Sequence, residues 1–151
     1  MMLASVAAVS VLSACGGNAR RQKTENRKME VKELTRNEFL DRVYNYEKYP
    51  GEWRYEGDRP ALIDFYATWC GPCKAMAPIV EDMAGAYGDR IAVYKVDVDK
   101  EPELAAAFGI RSIPTFYLIP MSGKPTIIQG AMSKQQLAGQ IDHALLNKSA
   151  R

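Results

Sequence analysis

Several large functional classes are excluded by what this sequence lacks. It has three cysteines in 151 residues, too few for the bridges that staple a small secreted scaffold. It has a single histidine, His143, so the chain lacks the ligands for a four-coordinate zinc site. Its net charge is only +2, too small to imply a nucleic-acid partner. No Gly-x-Gly-x-x-Gly fingerprint is present, so nothing in the chain is built to hold a dinucleotide. No internal repeat is visible. The uncharged apolar stretch from Met1 to Ala14 falls short of the ~20 residues that span a bilayer.

What is present fits one domain with a tail. The hydrophobic fraction of 47% is that of an ordinary globular core. The Met1–Ala14 stretch has the length of the apolar region of a secretory signal. It ends Leu12-Ser13-Ala14-Cys15 and is followed by Gly16-Gly17, which resembles the lipobox of bacterial lipoproteins. That resemblance implies cleavage before Cys15 and lipid attachment to its new N-terminus. The positive segment that opens such signals is missing, so the start lies upstream or the signal is atypical. A plain cleaved signal or a misplaced start is the alternative. Residues 16–28 carry Arg20, Arg21, Lys23, Arg27 and Lys28 and read as a disordered tether. Its charges are those of a solvated linker or, alternatively, of a segment held at an anionic membrane.

The domain is expected over residues 29–147. Met29 to Leu34 alternates apolar and charged residues, as an edge strand does. Thr35 and Glu38 form a capping box, and the helix behind it buries Phe39, Leu40, Val43 and Tyr44. Asn45 to Pro60 breaks the pattern with Tyr46, Tyr49, Trp53 and Tyr55 among charges. Its aromatics either pack back onto the domain or dock partners; the former is the simpler expectation, since buried rings stabilise long loops. Ala61 to Tyr66 reads as a buried strand interrupted by Asp64, a costly place for a carboxylate. A helix from about Cys73 to Tyr87 is expected to kink at Pro78 and stop at Gly88. A strand over Ile91–Asp97 carries Lys95. A short helix follows over Glu101–Phe108, then a hairpin of Thr115–Ile119 with Pro125–Gln129. A last helix is capped by Ser133 and Gln136.

Between the strand and the long helix lies Trp69-Cys70-Gly71-Pro72-Cys73. Cys70 falls at the helix N-terminus and Cys73 in its first turn, where free N–H groups and the helix dipole favour a thiolate. This string resembles the active site of the thioredoxin family. Asp64, Lys95 and Ile113-Pro114-Thr115, in that order, complete the resemblance, which covers about Met29 to Leu146. It implies an α/β thioredoxin fold, a mixed central sheet with helices on both faces. The right-handed crossover rule independently supports the first half of that topology.

Dithiol–disulfide exchange needs an attacking thiolate and a resolving thiol. Cys70 is the expected attacker, its sulfur outward, and Cys73 the resolver, drawn inward. Pro72 stiffens the loop and removes a donor N–H. Nucleophilicity falls as a thiol becomes more acidic, with a slope of about 0.4–0.5, so a helix terminus tunes redox poise more than speed. Asp64 is the candidate proton acceptor and donor for Cys73, through a water, with Lys95 as its charge partner. The resemblance further implies a cis peptide at Pro114 facing the cysteines, leaving the Ile113 backbone free to pair with an extended client segment. It also implies a client-binding rim of Trp69, Gly71, Ile113, Pro114, Gly130 and Ala131. Gln129 departs from the apolar residue usual at its place.

The implied function is reduction of disulfides in client proteins, outside the cytoplasm and from a lipid anchor at Cys15. The chain would act as a monomer, with no metal or cofactor. Electrons would come from a membrane thiol transporter, or from thioredoxin reductase if export fails. A disulfide-forming oxidase is the near alternative, disfavoured by Gly71-Pro72, Asp64 and Lys95. A thioredoxin-fold binding or chaperone module with incidental cysteines is the distant one.

Overall fold

The computed structural model describes residues 30–147. The signal, lipobox Cys15 and tether expected before them lie outside the described residues. Five strands and four α-helices follow one another: β1 (Lys32–Glu33), α1 (Arg36–Arg42), β2 (Ala61–Tyr66), α2 (Gly71–Tyr87), β3 (Ala92–Asp97), α3 (Pro102–Ala107), β4 (Thr115–Ile119), β5 (Thr126–Gln129) and α4 (Lys134–Leu146). A single 3-10 turn, Gly88–Arg90, links α2 to β3.

The strands form one sheet in the order β1-β3-β2-β4-β5. β1 and β2 run parallel to β3, while β4 is antiparallel to β2 and β5 to β4. The sheet is therefore mixed, and β2 and β4 are covered on both sides. Alternate residues of each strand serve different layers, as the two-residue period of a strand requires. Leu62, Phe116 and Leu118 pack with Met76, Val80, Met83, Leu137, Ile141 and Leu145 from α2 and α4. Ala61, Ile63, Phe65, Tyr117 and Ile119 pack with Phe39 of α1 and Leu104 of α3.

The expected caps are present. Thr35 accepts from the Glu38 N–H, and the Glu38 carboxylate accepts from the Thr35 N–H. Ser133 and Gln136 do the same at α4. β1 is shorter than the alternating pattern implied. As an edge strand it has one neighbour, and its pairing ends with Leu34 N–H donating to the Lys95 carbonyl at 2.9 Å. Helix α2 begins two residues earlier than expected, at Gly71, and runs through Pro78 to a stop at Gly88 (φ +54°).

Asn45 to Pro60 folds back on the domain. Tyr46, Tyr49, Trp53 and Tyr55 all pack against the α1–α3 layer. The Trp53 ring lies 4.7 Å from that of Tyr44, whose hydroxyl donates to the Tyr49 carbonyl at 2.8 Å. The Tyr55 hydroxyl donates to the Arg59 carbonyl at 2.6 Å. Lys48 and Arg54 both stand over the Tyr49 ring.

Removal of a half-buried indole from this layer leaves a void, so Trp53→Ala is expected to cost about 2–3 kcal/mol in urea unfolding. Its rate of disulfide reduction should match that of the parent. A loss of rate with unchanged stability would instead make the insertion a docking surface.

Candidate active site

The site is assembled where β2 ends and α2 begins. Four N–H groups at a helix start have no partner inside the helix. Here the side chain that caps them is a sulfur: Cys70 is the N-cap residue of α2, and the Cys73 N–H donates to its Sγ at 3.2 Å. Pro72, near the start of the helix, has no N–H to satisfy. The arrangement concentrates positive potential on one sulfur, which favours its thiolate.

Cys70 and Cys73 are joined as a disulfide, with Cα atoms 5.2 Å apart. The expected contrast of an outward and an inward sulfur does not hold in this oxidised state. Cys70 is 4% exposed and Cys73 3%. The reason is the packing around the pair: Ala67, Tyr66, Val98 and Ile113 close over it, and the Ile113 carbonyl oxygen lies 3.9 Å from the Cys70 Sγ.

The Ile113–Pro114 peptide is cis, on the loop that leads into β4. Pro114 is buried and Ile113 half-buried. The Pro114 carbonyl accepts from the Gly130 N–H at 2.9 Å, and Gly130 holds φ +91°, a conformation that glycine adopts without strain. One hydrogen bond thus ties two of the expected rim segments together. Ala131 next to Gly130, and Gly71 beside Cys70, are exposed. Trp69 is 68% exposed, yet its indole N–H donates to the Asp99 carboxylate at 2.7 Å. Asp99 is in turn placed by its own N–H, which donates to the buried Asp97 carboxylate at 3.0 Å. Sequence reasoning missed Asp99. Its only signal was the pair of acids flanking Val98 just after β3.

Asp64 is 5% exposed and opens on a cleft of about 710 Å³ lined also by Cys73, Tyr66, Lys95, Glu30, Val31 and Glu81. Its Oδ1 is buried with no protein hydrogen-bond partner. Burial pushes its pKa up to about 7, and the nearby Lys95 charge offsets this only in part. The charge partner expected for it is differently engaged. Lys95 is the register neighbour of Asp64 across β2–β3, but its ammonium pairs with Glu33 at 3.8 Å and stands over the Tyr66 ring. A carboxylate on an edge strand is the more accessible partner, since it keeps its hydration while it binds.

The comparisons with known proteins agree with this geometry. The family model described as Thioredoxin matches residues 30–143. The chain belongs to the thioredoxin family. It is 46% identical over 101 residues to a thioredoxin of Borreliella burgdorferi, which covers 67% of this chain and 86% of that protein. It is 45% identical over 91 residues to a thioredoxin of Alicyclobacillus acidocaldarius, covering 60% and 86%. Among solved structures, that of chloroplastic thioredoxin z, whose title speaks of a type-specific target recognition, superposes with a TM-score of 0.61 at 26% identity. That match covers 76% of this chain and 96% of the other. Family membership and the Cys70–Cys73 pair make this chain a dithiol–disulfide oxidoreductase, a protein-disulfide reductase of the thioredoxin type. As in the family, its substrates are disulfide-containing client proteins, and a reductase returns it to the dithiol.

The buried acid makes stability depend on pH. Its native pKa lies above that of the unfolded chain, so the native state holds the proton more tightly between about pH 4 and pH 7. The contribution of Asp64 to stability is then fully present below that window and is lost as pH rises through it, by at most about 4 kcal/mol. Asp64→Asn removes the penalty. Thermal melts of the oxidised protein should show the variant gaining on the parent from pH 4 to pH 8; equal melting profiles would show that the acid is hydrated in the native state.

Proposed function

We propose that the chain reduces client disulfides outside the cytoplasm, tethered to a membrane through a lipid on Cys15. The single observation that carries the chemistry is a sulfur capping α2, bonded to a second sulfur that shares a cleft with a buried acid whose Oδ1 has no protein hydrogen-bond partner. In the dithiol form, the Cys70 thiolate attacks one sulfur of a client disulfide. The client S–S bond breaks, one client sulfur leaves as thiolate, and a mixed disulfide forms at Cys70. Asp64 then takes the proton of Cys73 through a water in the cleft. The Cys73 thiolate attacks the Cys70 Sγ, the second client sulfur leaves, and the Cys70–Cys73 disulfide remains. Two electrons have passed to the client, and the reductase must return them.

The client lies across the rim of Trp69, Gly71, Ile113, Pro114, Gly130 and Ala131. An extended client segment pairs with the Ile113 backbone, and the Trp69–Asp99 hydrogen bond holds the indole face at one orientation. Gln129 replaces an apolar side chain beside this rim, which favours clients with a polar group there. The chain works as a monomer.

The export reading is supported by Leu12-Ser13-Ala14-Cys15 and by the basic residues that follow. Outside the cytoplasm the reductase is a membrane protein that passes electrons across, since the compartment itself is oxidising.

Two outcomes test these readings. Cys73→Ser in the native host should accumulate mixed disulfides with clients, lost again in Cys70→Ser, Cys73→Ser; a lysate without such adducts rejects Cys70 as attacker. Cys15→Ala should move the protein from the membrane to the soluble fraction and abolish labelling by a fatty-acid probe. Membrane association that survives the substitution would remove the anchor.

A further inference from the structure

Three charged side chains stand in one row across three parallel strands. Glu33 of β1 is in register with Lys95 of β3, and Lys95 is in register with Asp64 of β2. The row reads acid, base, acid, with one ammonium between two carboxylates. Tyr66, two residues beyond Asp64 and so on the same face, donates its hydroxyl to Glu33 at 3.1 Å. Lys100 also binds Glu33, at 2.7 Å, and reaches Asp97 at 3.9 Å. Glu33 is therefore fixed from three sides: by Tyr66, by Lys100 and by Lys95.

We propose that Glu33 is a positioning residue that draws Lys95 away from Asp64 and so sets how readily the acid beside Cys73 holds its proton. The inference rests on the reading of Asp64 as proton acceptor and donor. Lys95 makes its ion pair with Glu33, not Asp64, and its ammonium stands over the Tyr66 ring, 5.6 Å from the centroid. Other groups cannot take its place on Asp64. Around the cleft, α2 presents Cys73 and Glu81, the segment before β1 presents Glu30, and β2 presents the Tyr66 hydroxyl. On the β4 side the neighbour is Phe116. Lys95 is the one cation lining that cleft. Burial raises the pKa of Asp64, Lys95 opposes it, and the strength of that opposition depends on where Glu33 holds the ammonium.

The test titrates the Asp64 carboxyl carbon by NMR in the oxidised, isotope-labelled protein. Glu33→Gln releases Lys95 toward Asp64 and should lower the carboxyl midpoint by about one pH unit. Lys95→Met should raise it. With Lys95→Met in place, adding Glu33→Gln should move the midpoint by less than about 0.3 unit, because the two substitutions act through one side chain. An unchanged midpoint in Glu33→Gln overturns the proposal. So does an equal shift in both backgrounds, which would mean that Glu33 acts on Asp64 only through its own charge. Resolution of a preformed Cys70–client mixed disulfide, followed across pH, separates this from the reading beneath it. If the inflection of that rate moves with the carboxyl midpoint, both stand. If the midpoint moves and the rate profile does not, Glu33 positions Lys95 as proposed and Asp64 is not the proton acceptor.

Discussion

The unpaired N–H groups at the start of α2 are what the active site depends on. A helix that began with serine or aspartate would satisfy them with oxygen. This one begins with sulfur, and the Cys73 N–H points at the Cys70 Sγ. The same turn therefore does two things: its free N–H groups favour negative charge on the Cys70 sulfur, and it brings the second cysteine within bonding reach. Everything else in the site acts on this pair. The pair follows the C-terminal end of the central strand β2, Ile113 packs against it, and the cleft it lines also holds Asp64.

Burial is the second constraint. An acid in the middle of β2 is out of place by every packing criterion, and its Oδ1 has no protein partner. That cost suits it to the proton transfer we propose, because a carboxyl held near neutrality can both accept and return a proton at physiological pH. Burial holds the acid in this state, and among the described residues the one cation lining its cleft, Lys95, pairs with an edge-strand glutamate. An intimate Asp64–Lys95 pair would hold the proton less tightly.

Much of this was legible in the sequence. The capping boxes at Thr35 and Ser133, the strand over Ala61–Tyr66 and the stop at Gly88 each follow from local chemistry, and each is present. So is the back-packing of Tyr46, Tyr49, Trp53 and Tyr55, because aromatic rings in a long loop have little else to bury against. The side-chain pairings across the sheet were less legible. The pairing of Lys95 with Asp64 is implied mainly by the family resemblance; the place of Glu33 beside Lys95 depends on β1 pairing with β3 and not with β2, which no local pattern shows. Asp99 was missed for a similar reason, lying thirty residues from the indole it binds.

The sequence by itself determined the two cysteines, their spacing, and the helix start that activates them, because these are properties of one continuous turn. Only the tertiary structure decided which charges share a row, how completely the sulfurs are covered, and which carboxylate holds the lysine. Those depend on strand order and on burial, and a chain's local pattern encodes neither the neighbour across a sheet nor the solvent that neighbour excludes.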